Sequence, residues 1–247
     1  MVEVIPLEDE RLKKLFSYPH YSEEHYQRIV EELLTLGVGG IISMGRLEID
    51  GLLIVGKGCV GIVLAGILGQ EQIALKVLRA DANRPSLMEE ARLMSIANSQ
   101  QVGPKIIASC QSVIAMEYIE GIYLSKWLKN PLVADEVSYV VGELLNQCYK
   151  LDKVGLDHGE LSDARKHILI NGRGRPYILD FETASVRRRC RNLVSMLNYL
   201  FFKDSITLII GRYLHWDKNI LKRLIKMYKD APSTITYRGI VKSIDFD

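Results

Sequence analysis

The sequence predicts an α+β protein of two lobes, a small antiparallel-sheet lobe and a larger helical lobe with a cleft between them, preceded by a short N-terminal helical extension. Three observations carry this expectation. Residues 41–80 read as β-rich segments punctuated by glycines. A hinge-like glycine, Gly121, follows the apolar run SVIAMEYI. Beyond it come helical patterns interrupted by one small hairpin, KHILI and YILDF around the turn NGRGRP. The expected bounds are 1–45 for the extension, which carries one helix, 46–119 for the first lobe and 120–247 for the second.

The extension's helix is SEEHYQRIVEELLTLGVGG, residues 22–40. Ser22 can cap its start, Glu23 and Glu24 suit the positive end of the helix dipole, and the glycines after Leu36 stop it. Ile29, Val30, Leu33, Leu34 and Leu36 form its apolar stripe, and His25 reads as a solvated surface residue. In the first lobe, 61–67 and 72–79 are strands joined at Gly69-Gln70-Glu71, and 84–99 is helical. PKIIASC and SVIAMEYI, separated by Gln111 and Ser112, are two further apolar runs. In the second lobe helices are expected near 123–129 and 134–154, and from about 187 to 230 with basic outer faces.

Bulk properties narrow the function. A hydrophobic share of 48% and a charged share of 25% are those of a globular chain. A net charge of +2 gives no global reason to expect an anionic membrane or nucleic acid, and no reading of DNA sequence is expected. The four cysteines, Cys59, Cys110, Cys148 and Cys190, are scattered and lack a CxxC pair. That fits reduced thiols in a cytoplasmic protein better than a disulfide frame or zinc site. The N-terminus, MVEVIPLEDERLKKLF, mixes acids and bases and does not read as a signal peptide. The apolar run 52–69 is long enough for a membrane span, but it holds Lys57 and five glycines, each about 1 kcal/mol worse than alanine in a helix. A strand, a glycine turn and a second strand is the expected structure.

The chemistry-bearing residues form three groups. Gly56-x-Gly58-x-x-Gly61-x-Val63 is followed by a turn and a β-rich run. A dinucleotide fold would need a helix there, so this loop joins antiparallel strands and its bare backbone can close over phosphates. Lys76, on the apolar strand IALK, wants an anion, and an acid on the following helix, which carries Glu89 and Glu90, can pair with it. HGELSDARKHILI and YILDFE place Glu160 and Asp180 at the open ends of a hairpin, and paired acids suit Mg²⁺.

In this order the pieces resemble the protein kinase-like fold across about residues 50–200. GKGCVGIV resembles its glycine-rich loop, IALK its lysine strand, MEYIEG its hinge, HGELS its catalytic loop and DFE its metal-binding motif. The chain is most similar in flavour to archaeal-type atypical serine/threonine kinases, such as the RIO family and the small kinase of the tRNA threonylcarbamoyl-modification complex. The resemblance implies ATP and Mg²⁺ as cofactors. Gly56, Gly58 and Gly61 would drape over the phosphates, with Val63 and Ala74 above the adenine. Lys76, held by Glu90, would contact phosphates. Met116 would be the gatekeeper, Glu117 and Ile119 would offer backbone hydrogen bonds, and Leu169 would form the floor. Asp180 would bind the metal.

Two departures leave the activity open. Glu160 stands where the family has its catalytic aspartate, one methylene longer. The downstream asparagine is absent: ARKHILI is two residues longer than the family spacing and puts His167 just before the strand. Neutral imidazole is a poor ligand for Mg²⁺, so His167 or Lys166 is expected to contact a phosphate. Arg187, Arg188, Arg189 and Arg191 follow the DFE motif and are candidates for docking a phosphorylated protein or an RNA backbone. The leading expectation is a serine/threonine-type kinase, or an ATPase switch on an RNA-associated assembly. A small-molecule phosphotransferase and a nucleotide-binding pseudokinase are the alternatives.

Overall fold

The computed structural model describes residues 3–130 and 133–246. It is an α+β fold whose sheets are antiparallel, divided into two compact units. The first holds the residues up to 98 together with 104–119, and the second holds 99–103 with 120–247.

The first unit contains β1 (Val4–Ile5), α1 (Leu12–Phe16), α2 (Glu23–Thr35), β2 (Val38–Ile42), β3 (Leu47–Ile49), β4 (Leu52–Ile54), β5 (Gly56–Lys57), β6 (Gly61–Leu68), β7 (Glu71–Leu78), α3 (Met88–Ser99), β8 (Ile106–Ser109) and β9 (Val113–Glu117). Its sheet runs β1-β2-β6-β7-β9-β8, with β5 also paired to β6. The two-residue period of the pleat sorts the side chains of β6, β7 and β9. Ile62, Leu64, Ile73, Leu75, Val77, Val113 and Ala115 lie on one face and join a core with Leu12, Leu15, Phe16, Ile29 and Leu33 of the two N-terminal helices. The other face carries Val63, Ala74, Lys76 and Met116, aligned by the pairs Val63↔Lys76 and Ala74↔Met116.

The expectation of one helix within 1–45 is too sparse, because that segment supplies two helices and two strands of the sheet. Its β1 and β2 are built into the same compact unit as β6 and β7. Ser22 caps α2 by accepting a hydrogen bond from the His25 N–H at 3.3 Å. His25 itself is buried, against expectation, and its Nε2 bonds the Leu78 carbonyl at 2.9 Å. Leu34 faces out of the stripe assigned to it. Glu32 accepts from the Ser112 N–H at 2.7 Å, so α2 also braces the β8–β9 turn. Burial of each large apolar side chain such as Leu33 stabilises the unit by about 1.5–3 kcal/mol, and Leu33→Ala would cost about 2–5 kcal/mol.

The second unit contains β10 (Gly121–Tyr123), α4 (Leu124–Trp127), α5 (Ala134–Lys153), a 3₁₀ segment (Leu161–Lys166), β11 (Ile168–Asn171), β12 (Pro176–Ile178), α6 (Asn192–Phe201), α7 (Asp204–Ile210), β13 (His215–Trp216), α8 (Lys218–Asp230), α9 (Thr234–Lys242) and β14 (Ile244–Asp245). Strands β10-β11-β12 form one small sheet and β13-β14 another. Helices α5 and α6 pack together, and α6 also packs on the 3₁₀ segment. The expectation of basic outer faces after residue 187 fits α8, where Lys218, Lys222, Arg223, Lys226 and Lys229 alternate with buried Leu221, Ile225 and Tyr228. It fails for α6, whose Leu193, Met196, Leu197, Leu200 and Phe201 are all buried. Among the described residues no single helix is long and apolar enough to cross a membrane; the pair α6 and α7, bent by 76°, passes on length and composition together.

Candidate functional site

The glycine loop is a tight connection within the first unit. Gly56 pairs with Val63 and Lys57 with Ile62, and the Gly58 N–H donates to Gly61 O at 2.8 Å. Arg79 clips the loop from beyond β7: its backbone N–H donates to Val60 O at 2.9 Å and its guanidinium to Gly58 O at 2.8 Å. Tyr18 completes the arrangement. Lys57 Nζ lies 5.4 Å from its ring centroid and 3.3 Å from its hydroxyl, and the Arg79 guanidinium lies 5.1 Å from the ring. Gly61 is required by crowding rather than backbone torsion. A Cβ there would stand 2.9 Å from Val77 O and 3.1 Å from Lys76 Cγ. At Gly56 the nearest atom would be Val63 Cβ at 3.7 Å, an ordinary contact.

Lys76 lies mid-strand on β7, between Val63 of β6 and Ile114 of β9. Its Nζ donates to Glu90 Oε1 on α3 at 2.6 Å, with the two side chains only 7% and 1% exposed. Desolvating each ion costs several kcal/mol, which the short contact must offset. Met116 is half-buried at the end of the same sheet face. The Glu117 N–H donates to Lys105 O at 2.8 Å and its carboxylate accepts from the Lys105 N–H at 3.2 Å, so that N–H is already engaged within the unit. Ile119 is the last residue of the unit and half-buried.

In the second unit, Leu169 lies on β11 opposite Tyr123 and Tyr177. His158 is fully buried, and burial holds its pKa down to about 4. It is therefore neutral, with Nε2–H donating to Leu179 O at 3.0 Å and Nδ1 accepting from the Glu160 N–H at 3.4 Å. The edge contacts of its ring with His167 and Phe181, at centroid separations of 5.6 and 5.1 Å, fix the packing beneath the loop. The 3₁₀ segment is kinked at Asp163, with φ −128° and ψ 72°. Asp163 accepts from Arg165 Nε at 2.8 Å and Lys203 Nζ at 3.2 Å, and the Arg165 bond above all holds its carboxyl below the usual range.

That loop delivers His167 to the two carboxylates. One ligand atom each of Glu160, His167 and Asp180 lies within 4.8 Å of the others, and His167 Nε2 is 3.8 Å from Glu160 Oε2. The Leu179 N–H donates to His167 O at 2.8 Å, tying the histidine's backbone to the residue before Asp180. Asp180 has φ +66°, a left-handed conformation uncommon for a non-glycine residue. Two of these three donors are carboxylate oxygens, which suit Mg²⁺; the imidazole does not, so the set does not fit that ion well. Lys166 is exposed at the end of the 3₁₀ segment.

The four arginines serve different ends. Arg188 donates to Thr183 O at 2.7 Å and pairs with Asp157 Oδ2 at 3.0 Å, and Arg189 reaches Lys229 O on α8. Arg191 gives its backbone N–H to Asp157 Oδ1 at 3.0 Å, and Arg187 gives its own to Ser185 Oγ at 3.1 Å. All four side chains are exposed, but those of Arg188 and Arg189 also hold the fold together.

No family model matches the chain. It is 30% identical over 117 residues to MJ1211, an uncharacterized protein of Methanocaldococcus jannaschii, a match covering 46% of this chain and 98% of that relative. The chain belongs to the family of that archaeal protein.

Several residues that shape the site carry no local sequence signal. The Asp152 carboxylate caps α6, accepting from Asn192 N at 3.0 Å, Leu193 N at 3.2 Å and Tyr228 Oη at 3.0 Å. Asn192 in turn accepts from the His158 N–H at 2.8 Å and donates to Leu156 O at 2.7 Å. Burial raises the Asp152 carboxyl and these hydrogen bonds oppose that shift. Asp157 exchanges backbone bonds of 2.9 and 2.8 Å with Ser185, closing the segment that carries Asp180. Arg79 and Tyr18 do for the glycine loop what this network does for the Glu160 loop.

Proposed function

We propose that the chain binds ATP with a divalent cation and transfers the terminal phosphoryl group, as an atypical serine/threonine-type kinase or as an ATPase switch on an RNA-associated assembly. The observation that carries the reading is the buried Lys76–Glu90 pair on the glycine-loop face of the sheet. Apolar residues of similar volume would hold a fold at no such desolvation cost, so an ammonium kept there has an anion to serve. Gly56, Gly58 and Gly61 offer backbone beside it, and Val63, Ala74 and Met116 offer an apolar surface for a base. Asp180 supplies the carboxylate for the cation that accompanies the phosphates.

Phosphoryl transfer rests on positioning and charge stabilisation more than on covalent chemistry, so the longer Glu160 can act if it is held in place. One observation favours a second reading, nucleotide binding without transfer. Glu160 Oε2 stands 3.8 Å from His167 Nε2, within the group that also includes Asp180, a place that suits a metal ligand better than a base aimed at an acceptor. Release of ADP by the purified chain, compared with Lys76→Met and Asp180→Asn, tests the proposal. Nucleotide-dependent release lost in both variants supports transfer or hydrolysis. Nucleotide binding with no release supports the second reading, and no binding rejects both. Labelled ATP offered with protein, RNA-bound particle and amino-alcohol acceptors separates a protein kinase from a small-molecule phosphotransferase.

A further inference from the structure

We propose that Glu160, His167 and Asp180 form a binding site for a first-row divalent transition metal of the Mn²⁺ type, in preference to Mg²⁺. The inference deepens the reading above by naming the cation at Asp180, and its test works without nucleotide, so the two can fail separately.

The donor set is the first argument. One imidazole and two carboxylates form a mixed nitrogen and oxygen set. Mg²⁺ takes oxygen ligands and gains little from a neutral ring nitrogen, whereas Mn²⁺ and its neighbours accept both. Spacing is the second. Two ligands each about 2.1 Å from an ion stand no more than about 4.2 Å apart. The 3.8 Å between His167 Nε2 and Glu160 Oε2 falls inside that limit, and it is too long for a hydrogen bond. Three ligands about one ion stand about 3.0–3.6 Å apart, so the 4.8 Å that bounds all three pairs asks up to about 1–2 Å of side-chain closure.

The state of the histidine is the third argument. His167 sets Nε2 towards the Glu160 carboxylate, while Nδ1 is buried without a hydrogen-bond partner among the described residues, so Nε2 is the ring atom available to an ion. Its support is rigid: the His158 edge contact fixes the ring, and the Leu179–His167 backbone bond fixes its distance from the strand leading to Asp180. The Asp163 kink that precedes the ring is anchored by Arg165 and Lys203.

The test is titration of the full chain with Mn²⁺ alone, following free ion by EPR and bound ion by pulsed EPR. One ion per chain, with nitrogen modulation from a coordinated imidazole and resistance to displacement by an equal concentration of Mg²⁺, is the expected result. His167→Asn, which offers an amide oxygen instead, should abolish the nitrogen signal and lower the preference for Mn²⁺ over Mg²⁺ by roughly tenfold or more. Asp180→Asn should weaken both ions. Equal displacement by Mg²⁺, absence of the nitrogen signal from the unaltered chain, or its persistence in His167→Asn would each overturn the assignment. If His167→Asn loses its circular dichroism signal, the unaltered chain's nitrogen signal alone decides. Adding a non-hydrolysable ATP analogue then separates the two ideas: Mn²⁺ bound through nitrogen without any analogue binding keeps this site and rejects the nucleotide reading.

Discussion

Breaking the Lys76–Glu90 pair one residue at a time should cost far more than removing both partners. The pair is 2.6 Å long and its side chains are 7% and 1% exposed, so either charge left behind has little access to water. In Lys76→Met the Glu90 carboxylate loses the ammonium at Oε1, and taking up a proton is one way to relieve the buried charge. From an ordinary carboxyl value near 4.3, neutralisation at pH 7 costs about 3.7 kcal/mol, which caps the loss and matches the roughly 3–5 kcal/mol typical of a broken buried pair. Glu90→Leu leaves an ammonium that can shed its proton from about 10.4, which caps the loss at about 4.6 kcal/mol. Lys76→Met/Glu90→Leu has neither ion and should lie within about 1 kcal/mol of the unaltered chain, giving a coupling on the order of 3 kcal/mol or more. The Lys76→Met deficit should also shrink by about 2 kcal/mol between pH 7 and pH 5.5, as the carboxyl protonates more readily. Both tryptophans, Trp127 and Trp216, lie in the second unit, so urea unfolding must be followed by circular dichroism rather than indole fluorescence. Additive single losses below about 1 kcal/mol, with no pH dependence, would refute the claim that this is a desolvated ion pair.

Three further outcomes follow from the geometry. Gly61→Ala should cost about 1–3 kcal/mol by overpacking and displace the Lys76 stem, weakening ATP-analogue binding in a titration, whereas Gly56→Ala should leave unfolding within about 0.5 kcal/mol of the original. His158, neutral in the fold with a pKa held to about 4 against its ordinary 6.5, takes up a proton more readily when unfolded. Its contribution is complete above pH 6.5 and is lost as pH falls towards 4, about 3 kcal/mol in all, and unfolding of His158→Gln should show a correspondingly shallower acid slope. Arg188→Ala removes the bonds to Thr183 O and Asp157, so the segment after Asp180 should exchange its amide hydrogens faster, while Arg187→Ala should not change exchange there.

How much of this was legible depends on how local each signal is. The glycine spacing and the β-rich text around it point to a turn between antiparallel strands because torsional freedom and period-two patterning act over a few residues. Lys76 and Glu90 can be read as partners because one strand and one short connection separate them. The role of residues 1–45 is not legible in the same way. Tyr18 meets Lys57 and Arg79 only after the chain has folded back, and His25 is buried by a carbonyl 53 positions away. The Asp152–Asn192–His158 network is similarly hidden, since each residue alone reads as a solvated polar side chain. The meeting of His167 with Glu160 and Asp180 follows a kink at Asp163, which no local propensity dictates.

The central claim is that the chain binds a nucleotide together with a divalent cation, and that Lys76 and Asp180 are both needed for it. Calorimetric titration of the purified chain with a non-hydrolysable ATP analogue and Mn²⁺ addresses it directly, using the unaltered protein, Lys76→Met/Glu90→Leu and Asp180→Asn. Saturable binding that is lost or strongly weakened in both variants, each still folded by circular dichroism, is the predicted result. No binding by the unaltered chain, or binding that survives in either folded variant at full strength, would contradict the account.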